Sequence, residues 1–215
     1  MRQVPQKTEN YLIVGNGKMA RHLSYYFKLL GISFISWKRS SFENIEHKVS
    51  ISKKILVAIS DDAIEGFIIP LQKKFPEKIF IHFSGILTIP NVYSAHPLMT
   101  FGNNLYSLKT YKKIPFIIEN KIKFKKIFPE LQNNFISIEP RNKAIYHAWC
   151  SIAGNFTTSL WIAFFKRMKT IGIEKKLCLP YMEKTFENLV NQKNPLTGPL
   201  LRKDKHTIKN HKKSL

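Results

Sequence analysis

Apolar positions in this chain follow two regimes. Up to about residue 140 they fall in short runs, Tyr11–Val14, Ile32–Trp37, Ile55–Ile59, Ile79–Phe83, Ile114–Ile118 and Phe135–Ile138, and each run reads as a strand. The run Ile55–Ile59 is continuous rather than alternating, as expected of a parallel strand covered on both faces. Amphipathic stretches lie between the runs. One predicts a helix over Lys18–Leu30 with Gly31 as its C-cap; a second starts near Ala63, N-capped by an aspartate of Ser60-Asp61-Asp62 and bent or ended early by Pro70. A lysine-rich third covers about Lys121–Gln132, and residues 1–10 form a polar lead-in. Beyond Pro140 the strand pattern stops. Helical patterns then run over about Asn142–Thr170 and Ile173–Asn191, followed by a polar segment, Asn194–Leu215, with a short helix. The expectation is an α/β chain: a mainly parallel sheet in residues 1–140, then a smaller all-helical domain in 141–215.

The first strand runs into Gly15-Asn16-Gly17-Lys18-Met19-Ala20, a strand–turn–helix arrangement that fits a dinucleotide site. Gly15 allows the sharp turn, Gly17 leaves room for a pyrophosphate, and Ala20 permits close helix–strand packing. The helix opened by Lys18 and Met19 directs unpaired N–H groups and a positive dipole end at the phosphates, with Asn16 between the glycines. The second strand ends in Lys38-Arg39-Ser40-Ser41. A carboxylate there would hold a ribose 2′-hydroxyl, whereas a cation and hydroxyl donors suit a 2′-phosphate. Arg39 and Ser40 therefore favour NADP(H) over NAD(H), with Ser60 and Asp61, after the third strand, as further cofactor-binding candidates.

Charge changes the picture less than its size suggests. The chain has 215 residues and a formal net charge of +21, a balance that would ordinarily point to a polyanion. Arginine occurs only at positions 2, 21, 39, 141, 167 and 202, so lysine carries the charge and is spread along the chain. A solvated basic surface is the better reading, and nucleic-acid binding the poorer one. Cys150 and Cys178 form no close pair and no metal-ligand spacing, so neither a disulfide framework nor a metal site is expected, and a reducing cytoplasm fits. Ala144–Phe165 lacks charge but carries His147, Ser151, Asn155, Thr157, Thr158 and Ser159; it reads as a buried helix of a soluble protein rather than a membrane span.

At 3.6 residues per turn His147, Ser151, Asn155 and Thr158 share one arc, forming a polar stripe that internal partners or a cleft must satisfy. Ser84-Gly85 follows a strand at its carboxyl end, where open α/β sheets bind ligands. His96 lies close to a strand end too, while His82, inside an apolar run, reads as a core histidine. Reduction of a C=O or C=N carbon needs an acid near neutrality, a role that suits histidine. The candidates are His96 and His147, with Asn155 as neutral donor and Ser84 near the nicotinamide.

Gly-Asn-Gly-Lys-Met-Ala at 15–20, His-Phe-Ser-Gly at 82–85, His-Pro-Leu-Met-Thr-Phe at 96–101, Tyr-His-Ala at 146–148 with Asn155, and Leu-Thr-Gly-Pro at 196–199 with Arg202 and Asp204 resemble a bacterial family. That family joins a Rossmann-like NADP oxidoreductase domain to a C-terminal helical domain of unknown function. It is similar in layout to ketopantoate reductases, pyrroline-5-carboxylate reductases and the 6-phosphogluconate dehydrogenase superfamily. The resemblance implies an NADP-type cofactor, hydride transfer to or from an unidentified small carbonyl or imine substrate, and a homodimer through the helical domain. Ser151, Thr197 and Arg202 are substrate-side candidates, Arg202 through a bidentate pair with a carboxylate. Two departures stand out: Lys203 occupies the position after the arginine where relatives usually show glycine, and the chain stops at Leu215 where relatives continue. Beside the enzyme reading stand a non-catalytic NADP(H) sensor and, more remotely, a basic nucleic-acid-binding protein.

Overall fold

A computed structural model describes residues 9–119 and 124–214. The chain divides into two compact units, Met1–Gly154 and Asn155–Leu215. The first is built on one sheet of order β2-β1-β3-β4-β5-β6-β7, comprising β1 (Glu9–Val14), β2 (Phe34–Trp37), β3 (Ser52–Val57), β4 (Ile79–His82), β5 (Tyr93–Pro97), β6 (Phe116–Glu119) and β7 (Phe135–Ile138). Every pairing is parallel except β5 with β6. Helices α1 (Lys18–Leu29), α2 (Ile45–Ser50), α3 (Asp61–Lys74), α4 (Leu108–Lys113) and α5 (Phe124–Ile127) accompany it. This is the Rossmann-like α/β arrangement that the apolar runs imply.

The burial of β1 shows why its apolar run is unbroken. Tyr11 and Ile13 pack with Leu23, Phe27 and Phe116 in one core layer, and Leu12 and Val14 with Ile64, Ile68 and Phe80 in another. Both faces of the strand are dry, so alternation would expose nothing useful. From β1 the chain goes to β2 on one side and returns to β3 on the other, so the strand order reverses at β1. A crevice opens at the carboxyl ends there, immediately above the glycine turn.

Several local expectations give way. Pro70 does not end α3, which continues to Lys74. The proline is exposed and costs α3 the bond to the Gly66 carbonyl, while Ile68 and Leu71 beside it stay buried and hold the helix on the sheet. Asp61 is the first residue of α3 rather than its cap; Ser60 holds the cap position without a side-chain bond. The lysine-rich helix is described only over Phe124–Ile127, Lys121–Lys123 lying outside the described residues, and Pro129 disfavours helix at Phe128 before it. Residues 93–97, met in the sequence only as the start of a motif, form β5, whose antiparallel partner β6 pairs Ala95 with Ile118.

Pro140–Asn142 makes one 3-10 turn into α6 (Lys143–Ser151), and a π turn, Ile152–Phe156, follows. The second unit holds α7 (Thr157–Thr170), α8 (Lys175–Asn191), α9 (Pro199–Arg202) and α10 (Lys205–Ser214). Trp161 of α7 meets Tyr181 and Phe186 of α8, and Phe164 also meets Tyr181. Among the described residues of this unit Cys178 is the only buried hydrophobic, while Phe156 and Leu160 are 69% exposed. The expectation of a buried helix over Ala144–Phe165 therefore fails within the single chain, because α7 and α8 cover one another along one seam only. No described helix is long and apolar enough to cross a membrane.

Candidate dinucleotide and catalytic site

Gly15 has φ +121°, and a Cβ there would strike the carbonyl oxygen of Ala58 at the end of β3. Position 15 thus requires glycine twice over, for its conformation and for its close approach. Gly17 differs: its backbone is extended and the space around it is open. It is the N-cap of α1, without a capping side chain, and no acidic residue stands in the first turn. Helix N-termini ordinarily recruit a side-chain oxygen for their free N–H groups. Here those of Lys18, Met19 and Ala20 are left beside an open position, an arrangement that fits an external anion.

A groove of about 520 Å³ runs over this turn, lined by Gly15 to Met19, Lys38, Arg39 and Ala58 to Ser60. A second, about 470 Å³, shares Gly15, Asn16 and Lys38 and adds Arg21 and Lys28. Arg39 and Ser40 are exposed beyond β2. A pyrophosphate on the α1 N-terminus and an extra phosphate near Arg39 match the donors present, so these residues fit a dinucleotide of the NADP type. Ala20 is buried against the core. Ser60 lines the groove, but the Asp61 carboxylate accepts the Ser84 hydroxyl at 2.7 Å.

Beyond β4 and β5 a second set of groups converges. His96, half-buried at the end of β5, lies 5.6 Å centroid to centroid from the His147 ring, and its Nδ1 is 2.7 Å from the Tyr146 hydroxyl. His147 packs against Gly85 so closely that a Cβ there would lie 2.5 Å from its Cδ2. Burial first, then His147, lowers the His96 pKa to about 4; Asp61 opposes this, and Lys143 adds the smallest lowering effect. His96 is therefore neutral at neutral pH, not the titrating acid its residue type suggests. Burial and a bond with Cys150 push the Tyr146 phenol up, so it keeps its proton, and the His96 tautomer sets which group donates across the 2.7 Å contact with His96 Nδ1.

Ser84 is spent internally. Its hydroxyl donates to Asp61, and its oxygen accepts the N–H groups of Ile86 and Leu87 at 3.2 Å each. His82 is fully buried, as expected of a core histidine; its Nδ1 accepts the Ser84 N–H and burial lowers its pKa to about 3.

The stripe of His147, Ser151, Asn155 and Thr158 does not keep one register, because the π turn adds the equivalent of one residue, roughly 100° of rotation. Ser151 ends α6 and is half-buried; Asn155, Thr197 and Arg202 belong to the second unit and are exposed. In that unit Asp204 caps α10 by accepting the Thr207 N–H at 3.2 Å, and Lys203 sits at φ +56°. No cluster of three or more metal-ligating side chains occurs among the described residues.

Two participants escaped the sequence reading. Tyr146 was visible only as part of a motif, and Lys143 not at all. The signal was Glu119, a carboxylate closing the apolar strand Phe116–Ile118, since a buried carboxylate needs a cation.

Comparison with known proteins agrees with this architecture. Residues 118–215 match the model of a domain of unknown function, DUF2520. No curated protein matches. Among solved structures, one from Bacteroides fragilis, provisionally named an NADP oxidoreductase, superimposes with TM-score 0.74 at 18% identity, over 95% of this chain and 90% of the other. A Thermotoga maritima protein does so with TM-score 0.66 at 20% identity, over 95% and 89%. Plasmodium falciparum pyrroline carboxylate reductase with NADP bound gives 0.65 at 13% identity, over 96% and 93%. At these identities the likeness is one of fold.

Proposed function

We propose that this protein is an NADP(H)-dependent oxidoreductase acting on a small carbonyl or imine compound. The observation that carries the reading is the uncapped N-terminus of α1, open at Gly17 and flanked by Lys38 and Arg39 on one groove. The fold shared with pyrroline carboxylate reductase, solved with NADP bound, supports it. Residues 1–140 supply the cofactor domain and 141–215 the helical domain, in which Asn155 is the neutral-donor candidate and Ser151, Thr197 and Arg202 are the substrate-side candidates.

The cofactor, when bound, supplies or accepts hydride at its nicotinamide. The chain's own residues do the rest. Gly15 to Ala20 hold the pyrophosphate, and Arg39 with Ser40 holds the 2′-phosphate. Neutral His96, held by Tyr146, hydrogen-bonds a substrate oxygen or nitrogen, and the neighbouring His147 is the group that passes a proton to that atom when hydride arrives and takes it back in the reverse direction. Ser84 and Asp61 hold the loop beneath them.

Titration of the purified protein with NADPH and NADH tests the cofactor. Micromolar NADPH binding, weakened on the order of a hundredfold in Arg39→Asp while NADH binding barely moves, is expected. Binding of neither nucleotide removes the reading. Binding without turnover of small cyclic imines or keto acids would favour a sensor, and affinity for nucleic acid that falls steeply with salt the basic-protein alternative.

A second copy of the chain is the proposed partner. Leu177, Tyr181, Leu189 and Val190 of α8 are each at least 60% exposed, an apolar area unusual on a lone subunit. Sedimentation at micromolar concentration is expected to give twice the 25.1 kDa chain mass. A reducing cytoplasm is the proposed location, resting on the sequence's two unpaired cysteine positions.

A further inference from the structure

Lys143, the first residue of α6, is 3% exposed. An ammonium has three protons to donate, and three acceptors receive them: Glu119 Oε1 at 2.7 Å, Ser94 Oγ at 2.8 Å and the Leu87 carbonyl. The acceptors come from the end of β6, from β5 and from the loop after β4. Glu119 Oε1 also accepts the Thr88 hydroxyl at 3.2 Å. No proton of Lys143 remains for a substrate. A buried ion pair adds little net stability over apolar residues of the same volume, but it does dictate which groups must lie together.

What lies together here is the proposed reaction centre. Tyr146 and His147 stand three and four residues beyond Lys143, on the same face of α6. Tyr146 reaches His96, and His147 rests on Gly85. Gly85 belongs to the loop whose Leu87 carbonyl Lys143 holds, and that loop is closed by the Ser84 hydroxyl. One ammonium thus fastens both the helix carrying His147 and the loop supporting it.

We infer that Lys143 is a positioning residue of the proposed reductase site, locking α6 onto the β4–β5 loop so that Tyr146 and His147 keep their places against His96 and Gly85. The inference rests on the oxidoreductase reading only for what the site does, not for its geometry. The groups facing His96 are Tyr146, His147 and Lys143 from α6 and Asp61 from α3. Removing the Lys143 charge and releasing α6 both act to raise the His96 pKa.

The test is a pH titration, by NMR of ¹⁵N-labelled histidine rings, of the full chain, of Lys143→Met, and of Lys143→Met combined with Glu119→Leu. The double variant leaves no orphaned carboxylate and keeps the measurement open if the single variant fails to fold. NADPH affinity is expected to stay within about twofold in each folded variant, because the glycine turn is untouched. His96 is expected to titrate about one unit higher, with loss of the Nδ1 signal of its bond to Tyr146. A folded variant whose His96 titration and Nδ1 signal match the wild type would overturn the inference, reducing Lys143 to an anchor. Loss of the fold in both variants would overturn it too, assigning Lys143 to folding. If no form binds NADPH, the oxidoreductase reading fails while the titration still decides the role of Lys143.

Discussion

The glycine turn and the histidine cluster lie on the same unit and use their polar groups in opposite ways. At the turn, donors are left open: α1 has no capping side chain, Gly17 opens on space, and Arg39 is exposed. In the cluster nearly everything is spent, with Ser84 on Asp61, Tyr146 on His96, and Lys143 on three acceptors. A site that binds a ligand's fixed charge must leave its donors unsatisfied until the ligand arrives. A site that aligns reacting groups must satisfy its supports beforehand, because a loose support misplaces the chemistry.

Mutations at the two glycines should separate these designs. Gly15→Ala, which combines strain at φ +121° with collision against the Ala58 carbonyl, is expected to cost about 3 kcal/mol of stability and to abolish NADPH binding. Chemical unfolding and titration measure both; an unchanged variant would mean that the turn is not closed as described. Acid should act next, and on the cluster. His82 and His96 are held near 3 and 4, whereas in the unfolded chain a histidine titrates near 6.5. The unfolded state therefore binds more protons below about pH 6.5, and stability present above that pH is lost as pH falls toward 4. Urea unfolding at intervals from pH 7 to 5 should show this slope, and a flat profile would mean that these rings are not buried neutral.

Gly85→Ala should leave NADPH affinity intact yet displace His147, lowering turnover on the order of tenfold once a substrate is in hand. Equal losses in binding and turnover would merge the two regions into one. Smallest is Lys203→Gly in the second unit. Lys203 sits in the left-handed region at φ +56°, where glycine escapes a penalty of about 1 kcal/mol. The variant should melt a few degrees higher, and a lower melting point would contradict the strain.

Legibility in the sequence differed in the same way. Tyr11–Val14 and Ile55–Ile59 announced buried parallel strands because their apolar runs were unbroken, and Gly15 announced the turn because chain geometry there depends on neighbours in sequence. The carbonyl of Ala58, which makes glycine obligatory, comes from another strand and was not visible. Pro70 misled because the burial of Ile68 and Leu71 beside it, which holds the helix through one missing bond, is a tertiary fact. The polar stripe misled because a π turn, which carries no sharp sequence signature, shifted its register.

The sequence by itself determined six of the seven strands, the helix after the glycine turn, the turn itself, the basic end of β2 and the set of polar residues available for chemistry, all of which depend on local spacing and residue type. Only the tertiary structure decided that His96 is neutral, that Ser84 is committed to Asp61, and that Lys143 meets Glu119 across 24 positions. Burial and pairing between distant segments set the protonation and partners of a side chain, and neither is encoded in its immediate neighbours.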